Sequence, residues 1–138
     1  LEIFTDSQIP ESVFTHPNTV LGWLAEFLKE KYKGPHHDSA FLMIARSVKK
    51  RNPTGVAKKS TICYPKNTFK TVSYVRDSSS DEKKQNSKRV VATLAHEMGH
   101  VLGMEHDFQH DYLFCDCPLG RRCIMHFQSG DYKQYWSN

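Results

Sequence analysis

Eleven residues constrain this 138-residue chain more than all the others: His96-Glu97-Met98-Gly99-His100-Val101-Leu102-Gly103-Met104-Glu105-His106, followed by Asp107. The stretch is preceded by Val90, Val91, Leu94 and Ala95 and continues through Met98, Val101 and Leu102. That spacing predicts a helix over residues 87–102, begun by Ser87 or Asn86 and buried along those apolar positions. On a helix His96 and His100 lie one turn apart on one face, so both imidazoles can reach one ion. Glu97 sits about 100° around from His96 and borders that ion without ligating it. Gly103, just past the helix, supplies the backbone freedom for a sharp turn that returns His106 as a third ligand. Five fixed residues of this kind coincide by chance in about one window in several million.

Three neutral imidazoles with a fourth position left to water describe a catalytic rather than a structural zinc site, because structural sites are closed by four protein ligands. Zinc lowers the pKa of a bound water toward ~7, and a carboxylate at Glu97 can take its proton. The expected chemistry is hydrolysis by a zinc-bound water with Glu97 as general base. His16, His36, His37 and His110 lack a helical partner and read as spectators, and Glu105 as a surface group.

The rest of the chain fits one soluble α/β domain. Hydrophobic residues at 38% and charged residues at 25% suit a folded core rather than a disordered segment. Residues 1–4, 41–48, 55–63 and 68–75 read as strands. Residues from 19 to about 33 read as an amphipathic helix, Pro10 and Pro17 bracket a loop, and residues 77–86 form another. The net charge of +4 comes from short basic clusters that form no nucleic-acid-reading module. No apolar run approaches the ~20 residues of a membrane span, and no leader precedes the first strand, so the chain reads as a piece of a longer precursor. Cys115, Cys117 and Cys123 crowd together while Cys63 stands apart; the pattern reads as disulfide staples in an oxidising compartment, with three pairings open.

The motif with Asp107 directly after it resembles the metzincin zinc endopeptidases, in their adamalysin/reprolysin branch of ADAM proteases and snake-venom metalloproteinases. Leu1-Glu2-Ile3-Phe4-Thr5-Asp6 is similar to that family's second strand, His37-Asp38-Ser39-Ala40 to the start of its third, and Thr61-Ile62-Cys63-Tyr64-Pro65-Lys66 to the end of its edge strand. Cys123-Ile124-Met125 is similar to its Met-turn. The resemblance implies a zincin-like catalytic domain over residues 1–138, truncated at both ends. It has a mixed twisted sheet and long active-site helix in an upper part, 1–103, and an irregular disulfide-stapled lower part, 104–138.

It also implies roles. His96, His100 and His106 would hold one zinc ion, Met125 would floor the site, and Asp107 would be a buried carboxylate anchoring the third-ligand turn to the Met-turn. Cys117 would pair with Cys123, leaving Cys63 and Cys115 to partners further along the family's chain. Asp38 matches a calcium ligand of some members, so calcium is carried as a second, optional ion. A protein or peptide substrate would lie extended along residues 55–60, with residues 126–130 walling the pocket beyond the cleaved bond. The basic Lys58 and Lys59 predict a preference for acidic side chains on one flank. The implied protein is secreted or a cell-surface ectodomain. The alternative is an adhesion protein that keeps a metalloprotease-like domain without proteolysis; loss of a ligand or of Glu97 would favour it, and both are present.

Overall fold

The computed structural model describes residues 8–32, 38–44, 53–63, 71–76, 87–107 and 123–126. The expected strand at 1–4, the loop at 77–86, Cys115, Cys117, His36, His37, His110 and the wall residues 127–130 lie outside them.

A short 3-10 helix, Glu11–Thr15, leads into α1, Pro17–Lys31. The first of these replaces the loop expected between Pro10 and Pro17: Val13 and Phe14 are buried, and one turn is the shortest way to turn both inward. Five residues are too few to show a period. Helix α1 starts two residues earlier than the apolar spacing suggests, because Pro17 suits the first helical turn and His16 caps it, its Nδ1 accepting from the Asn18 N–H at 3.2 Å. The helix buries Val20, Leu21, Leu24 and Leu28, each fully desolvated aliphatic side chain contributing ~1.5–3 kcal/mol.

Three strands follow: β1 (Ala40–Ile44), β2 (Gly55–Ala57) and β3 (Val72–Arg76). They form a mixed sheet in the order β1-β3-β2, with β1 parallel and β2 antiparallel to β3. Every residue of the central β3 is buried. Val72 and Tyr74 join Leu42, Ile44 and the apolar face of α1 in one core cluster. Ser73 and Val75 face the other way by the two-residue period of a strand. On that side lies α2, Ser87–Leu102, packed against β3 and β2.

Two expectations are corrected. Strand β2 ends at Ala57 instead of running to residue 63, because the chain leaves the sheet for the end of α2. There the Ser60 N–H donates to His100 O at 2.9 Å and the Thr61 and Ile62 N–H groups to Val101 O at 3.1 and 3.3 Å. Carbonyls in the last turn of a helix are short of internal partners, and here the departing strand supplies donors to Val101 O and a second one to His100 O. Second, the buried face of α2 is not the purely apolar stripe. Val91, Met98 and Leu102 are exposed, while Thr93, His96, Glu97 and Val101 are buried. The inward face carries the polar motif, so hydrophobicity alone selects the wrong side.

Candidate metal centre

The end of α2 makes the site possible. Gly103 has φ +100°, a left-handed conformation that costs other residues strain. Its N–H donates to His100 O, and the Met104 N–H to Gly99 O, both at 2.9 Å. This pair of bonds is the Schellman arrangement of a glycine-terminated helix. It reverses the chain within one residue and brings His106 back to the face bearing His96 and His100.

The three rings converge. His106 Nε2 lies 3.1 Å from His96 Nε2 and 3.0 Å from His100 Nε2. One ligand atom from each of these residues falls within 4.8 Å of the others. Ligand nitrogens bound at ~2.0–2.1 Å in tetrahedral geometry stand ~3.4 Å apart, so the cluster has the size of a zinc site. Tautomers agree with it. The His96 Nδ1–H donates to Ile124 O at 2.6 Å, and the His100 Nδ1–H to Met104 O at 2.9 Å. Both Nε2 atoms then present lone pairs to the same small volume, an arrangement that repels itself unless a cation accepts them. Burial pushes the His96 and His106 imidazoles below their usual pKa, toward the neutral form a metal needs. The residues fit a zinc ion.

Glu97 is 4% exposed, and burial pushes its carboxyl up to about 8. Its Oε2 is buried without a hydrogen-bond partner. A dication beside the group acts in the opposite sense and favours the carboxylate. Buried polar atoms left unsatisfied are uncommon, and a catalytic role is one reason for leaving such an atom without a partner.

Below the rings, the Asp107 N–H donates to Met125 O at 2.9 Å and the His126 N–H to Cys123 O at 3.1 Å. The turn at 123–126 thereby grips the third-ligand segment. Met125 is buried at 2% and its sulfur lies against Gly99, where any side chain would collide with it. Asp107 is buried, and its bond to the 123–126 turn runs through its backbone N–H. Cys123 is disulfide-bonded, and Cys63 is free and exposed. Asp38 is exposed and joins no metal-capable group among the described residues, so nothing supports calcium there. His16 is exposed, and its role is the α1 cap.

Beside the centre, β2 pairs with β3 through alternate residues: Arg76 N–H donates to Thr54 O at 2.8 Å and Lys58 N–H to Val72 O at 3.5 Å. By that alternation Gly55 and Ala57 turn their backbone groups away from β3. Sequence reasoning missed three features: the closeness of Gly55 to Glu97, the closeness of Gly99 to Met125, and the ion pair of Lys59 with Glu105. A glycine inside a strand is the one available signal for the first. The Lys59 pair also halves the basic rim expected from Lys58 and Lys59.

Comparison with known proteins agrees with the motif. The model of the Reprolysin (M12B) family of zinc metalloproteases matches residues 1–137. The chain is 35% identical over 131 residues to the disintegrin and metalloproteinase domain-containing protein adm-2 of Caenorhabditis elegans, covering 95% of this chain and 12% of that protein. It is 40% identical over 73 residues to the zinc metalloproteinase-disintegrin-like atragin of Naja atra, covering 53% of this chain and 10% of that protein. The chain thus spans about a tenth of the length of these curated relatives.

Proposed function

This chain belongs to the Reprolysin (M12B) family of zinc metalloproteases, and we propose from that membership that it hydrolyses peptide bonds of extracellular or cell-surface proteins as a zinc-dependent endopeptidase. The observation that carries the reading is the meeting of three imidazole nitrogens, with His106 Nε2 3.1 and 3.0 Å from those of His96 and His100, at the end of the helix that also carries a buried Glu97 whose Oε2 has no hydrogen-bond partner. His96, His100 and His106 would hold the ion. Bound zinc supplies Lewis acidity, polarising the scissile carbonyl and acidifying water. Glu97 takes a proton from the attacking water and returns it to the leaving amine. Its buried setting keeps bulk water from competing for that proton.

The substrate would lie extended on the free side of β2, paired with the backbone groups of Gly55 and Ala57, as in strand addition. Met125 would form the floor beneath the rings, and Asp107 would fasten the third-ligand turn to it. Residues 1–103 would form the upper part of the domain and 104–138 the lower, stapled by Cys117 and Cys123. No described helix is long and apolar enough to cross a membrane. The deciding experiment measures zinc content and peptide cleavage by the full protein carrying this chain, with and without a chelator. Cleavage that follows zinc supports the assignment, and a zinc-loaded protein that cleaves no peptide in a diverse library overturns it.

A further inference from the structure

Gly55 opens β2 opposite Val75 of β3. Its backbone does not require glycine, since Gly103 is the glycine with positive φ among the described residues. Glycine weakens a strand, so another reason is needed for it here. Space supplies one. A Cβ at position 55 would stand 2.5 Å from Glu97 Oε1, 2.8 Å from Glu97 Cγ and 2.7 Å from Thr93 Cγ2.

Thr93 and Glu97 lie one turn apart on α2, so the first residue of β2 rests directly on that face. Thr93 has little room to yield: it is 2% exposed, and its hydroxyl donates to Arg89 O at 3.0 Å. The movable group is the Glu97 side chain. The ligand rings are held from elsewhere, His96 by Ile124 O and His100 by Met104 O.

The geometry points to Gly55 as a positioning residue for Glu97: the missing side chain leaves the space in which the carboxylate rests. This rests on the reading of Glu97 as the general base. Any side chain at 55 drives the carboxylate away from β2 while the histidines stay in place. The backbone N–H and C=O of residue 55 remain, so substrate pairing along the edge is kept. A base misplaced by about 1 Å costs on the order of 10²-fold in rate.

The test uses the zinc-loaded full protein and the variant Gly55→Ala. Zinc content should be unchanged, kcat should fall ~10-fold to 10²-fold, and KM should stay within about twofold. The melting temperature is measured for Gly55→Ala in the parent and in a Glu97→Ala background, where the shortened side chain removes the collision. The shift should be larger in the parent. A second variant, Gly55→Ala with Thr93→Ser, relieves the crowding at Thr93 and guards against a folding failure; its kcat should remain low. Equal melting shifts in the two backgrounds, a parent-like kcat in either variant, or activity lost in step with zinc would each overturn the proposal. A zinc-loaded parent that cleaves nothing would overturn the proposed function instead, and the melting comparison would still decide whether Gly55 sets the place of Glu97.

Discussion

The Nδ1–H of His96 donates to the carbonyl of Ile124 at 2.6 Å, joining the helix of the metal motif to a segment 28 residues further along the chain. The same short turn accepts the Asp107 N–H through Met125 O at 2.9 Å. Both ligand-bearing segments, α2 and the chain at His106, are therefore held by one backbone turn, which sets the tautomer of one ring and the approach of another. Such outer partners contribute ~10-fold to 100-fold in metal affinity.

That turn is held in place by Met125, which is 2% exposed and packed on Gly99. Met125→Ala removes the side chain that spaces the turn from the helix and should cost ~2–5 kcal/mol of stability. Zinc affinity should fall with it by ~10-fold or more although no ligand is touched. Denaturant titration and competition with a zinc indicator measure the two losses separately. Parent-like zinc affinity in a destabilised variant would detach the turn from the metal centre.

Removing a ligand and removing the base should have opposite signatures. His106→Ala deletes the ring that meets both other Nε2 atoms, and the protein should lose its zinc on dialysis. Glu97→Gln is nearly isosteric and should keep the ion while kcat falls ~10²-fold to 10⁴-fold. Elemental analysis alongside peptide cleavage separates the two, and a fully active Glu97→Gln protein would remove that residue from the chemistry.

Gly103 links the helix end to the third ligand. At φ +100° an L side chain is strained by ~1–2 kcal/mol, and a Cβ there also comes within 3.1 Å of Ser60 Oγ. Gly103→Ala should therefore lower the unfolding midpoint and weaken zinc binding together, because the strained turn is the one that returns His106. A stability loss with unchanged zinc affinity would show that the turn relaxes without moving the ring.

Lys59 and Glu105 pair between the chain leaving β2 and the loop after α2. Their side chains are 48% and 37% exposed, so solvent screens the attraction. A double-mutant cycle with Lys59→Ala and Glu105→Ala should give a coupling below ~1 kcal/mol that disappears in about 1 M salt. Among the described residues the pair leaves Lys58 as the uncompensated cation of this rim. Acidic and basic versions of one peptide should accordingly differ little in KM.

The metal centre was the most legible part of the chain because its ligands lie within eleven residues, where helix geometry and one glycine dictate their directions. The mixed α/β character and α1 were legible for the same local reason. What escaped depends on distant backbone. The carbonyls of Ile124 and Met104 carry no side-chain signature, and residues 59–62 leave the sheet because α2 needs donors at its end, which strand propensity cannot reveal. The exposed Val91, Met98 and Leu102 were misassigned because the motif places Thr93, His96 and Glu97 on the inward face. A period can be read from sequence, but which side faces the core is set by what the site requires.

Tyr74 gives a pH dependence independent of the metal ligands. It is 2% exposed in the central strand and its hydroxyl is buried without a hydrogen-bond partner. Burial pushes its pKa from 10.0 to about 12, opposed by the nearby Arg76 charge and reinforced by Glu97. The folded protein thus holds the phenol proton more tightly than the unfolded chain does. The stability this contributes is fully present below pH 10 and is lost as the pH rises from 10.0 to about 12. Tyr74→Phe removes the group that must ionise together with an unsatisfied polar atom. Its stability at pH 7 should be equal to or above that of the parent, and its decline between pH 10 and 12 should be shallower. Urea unfolding at a series of alkaline pH values measures both, and a Tyr74→Phe protein that is less stable at pH 7 would mean that the hydroxyl has a partner in solution.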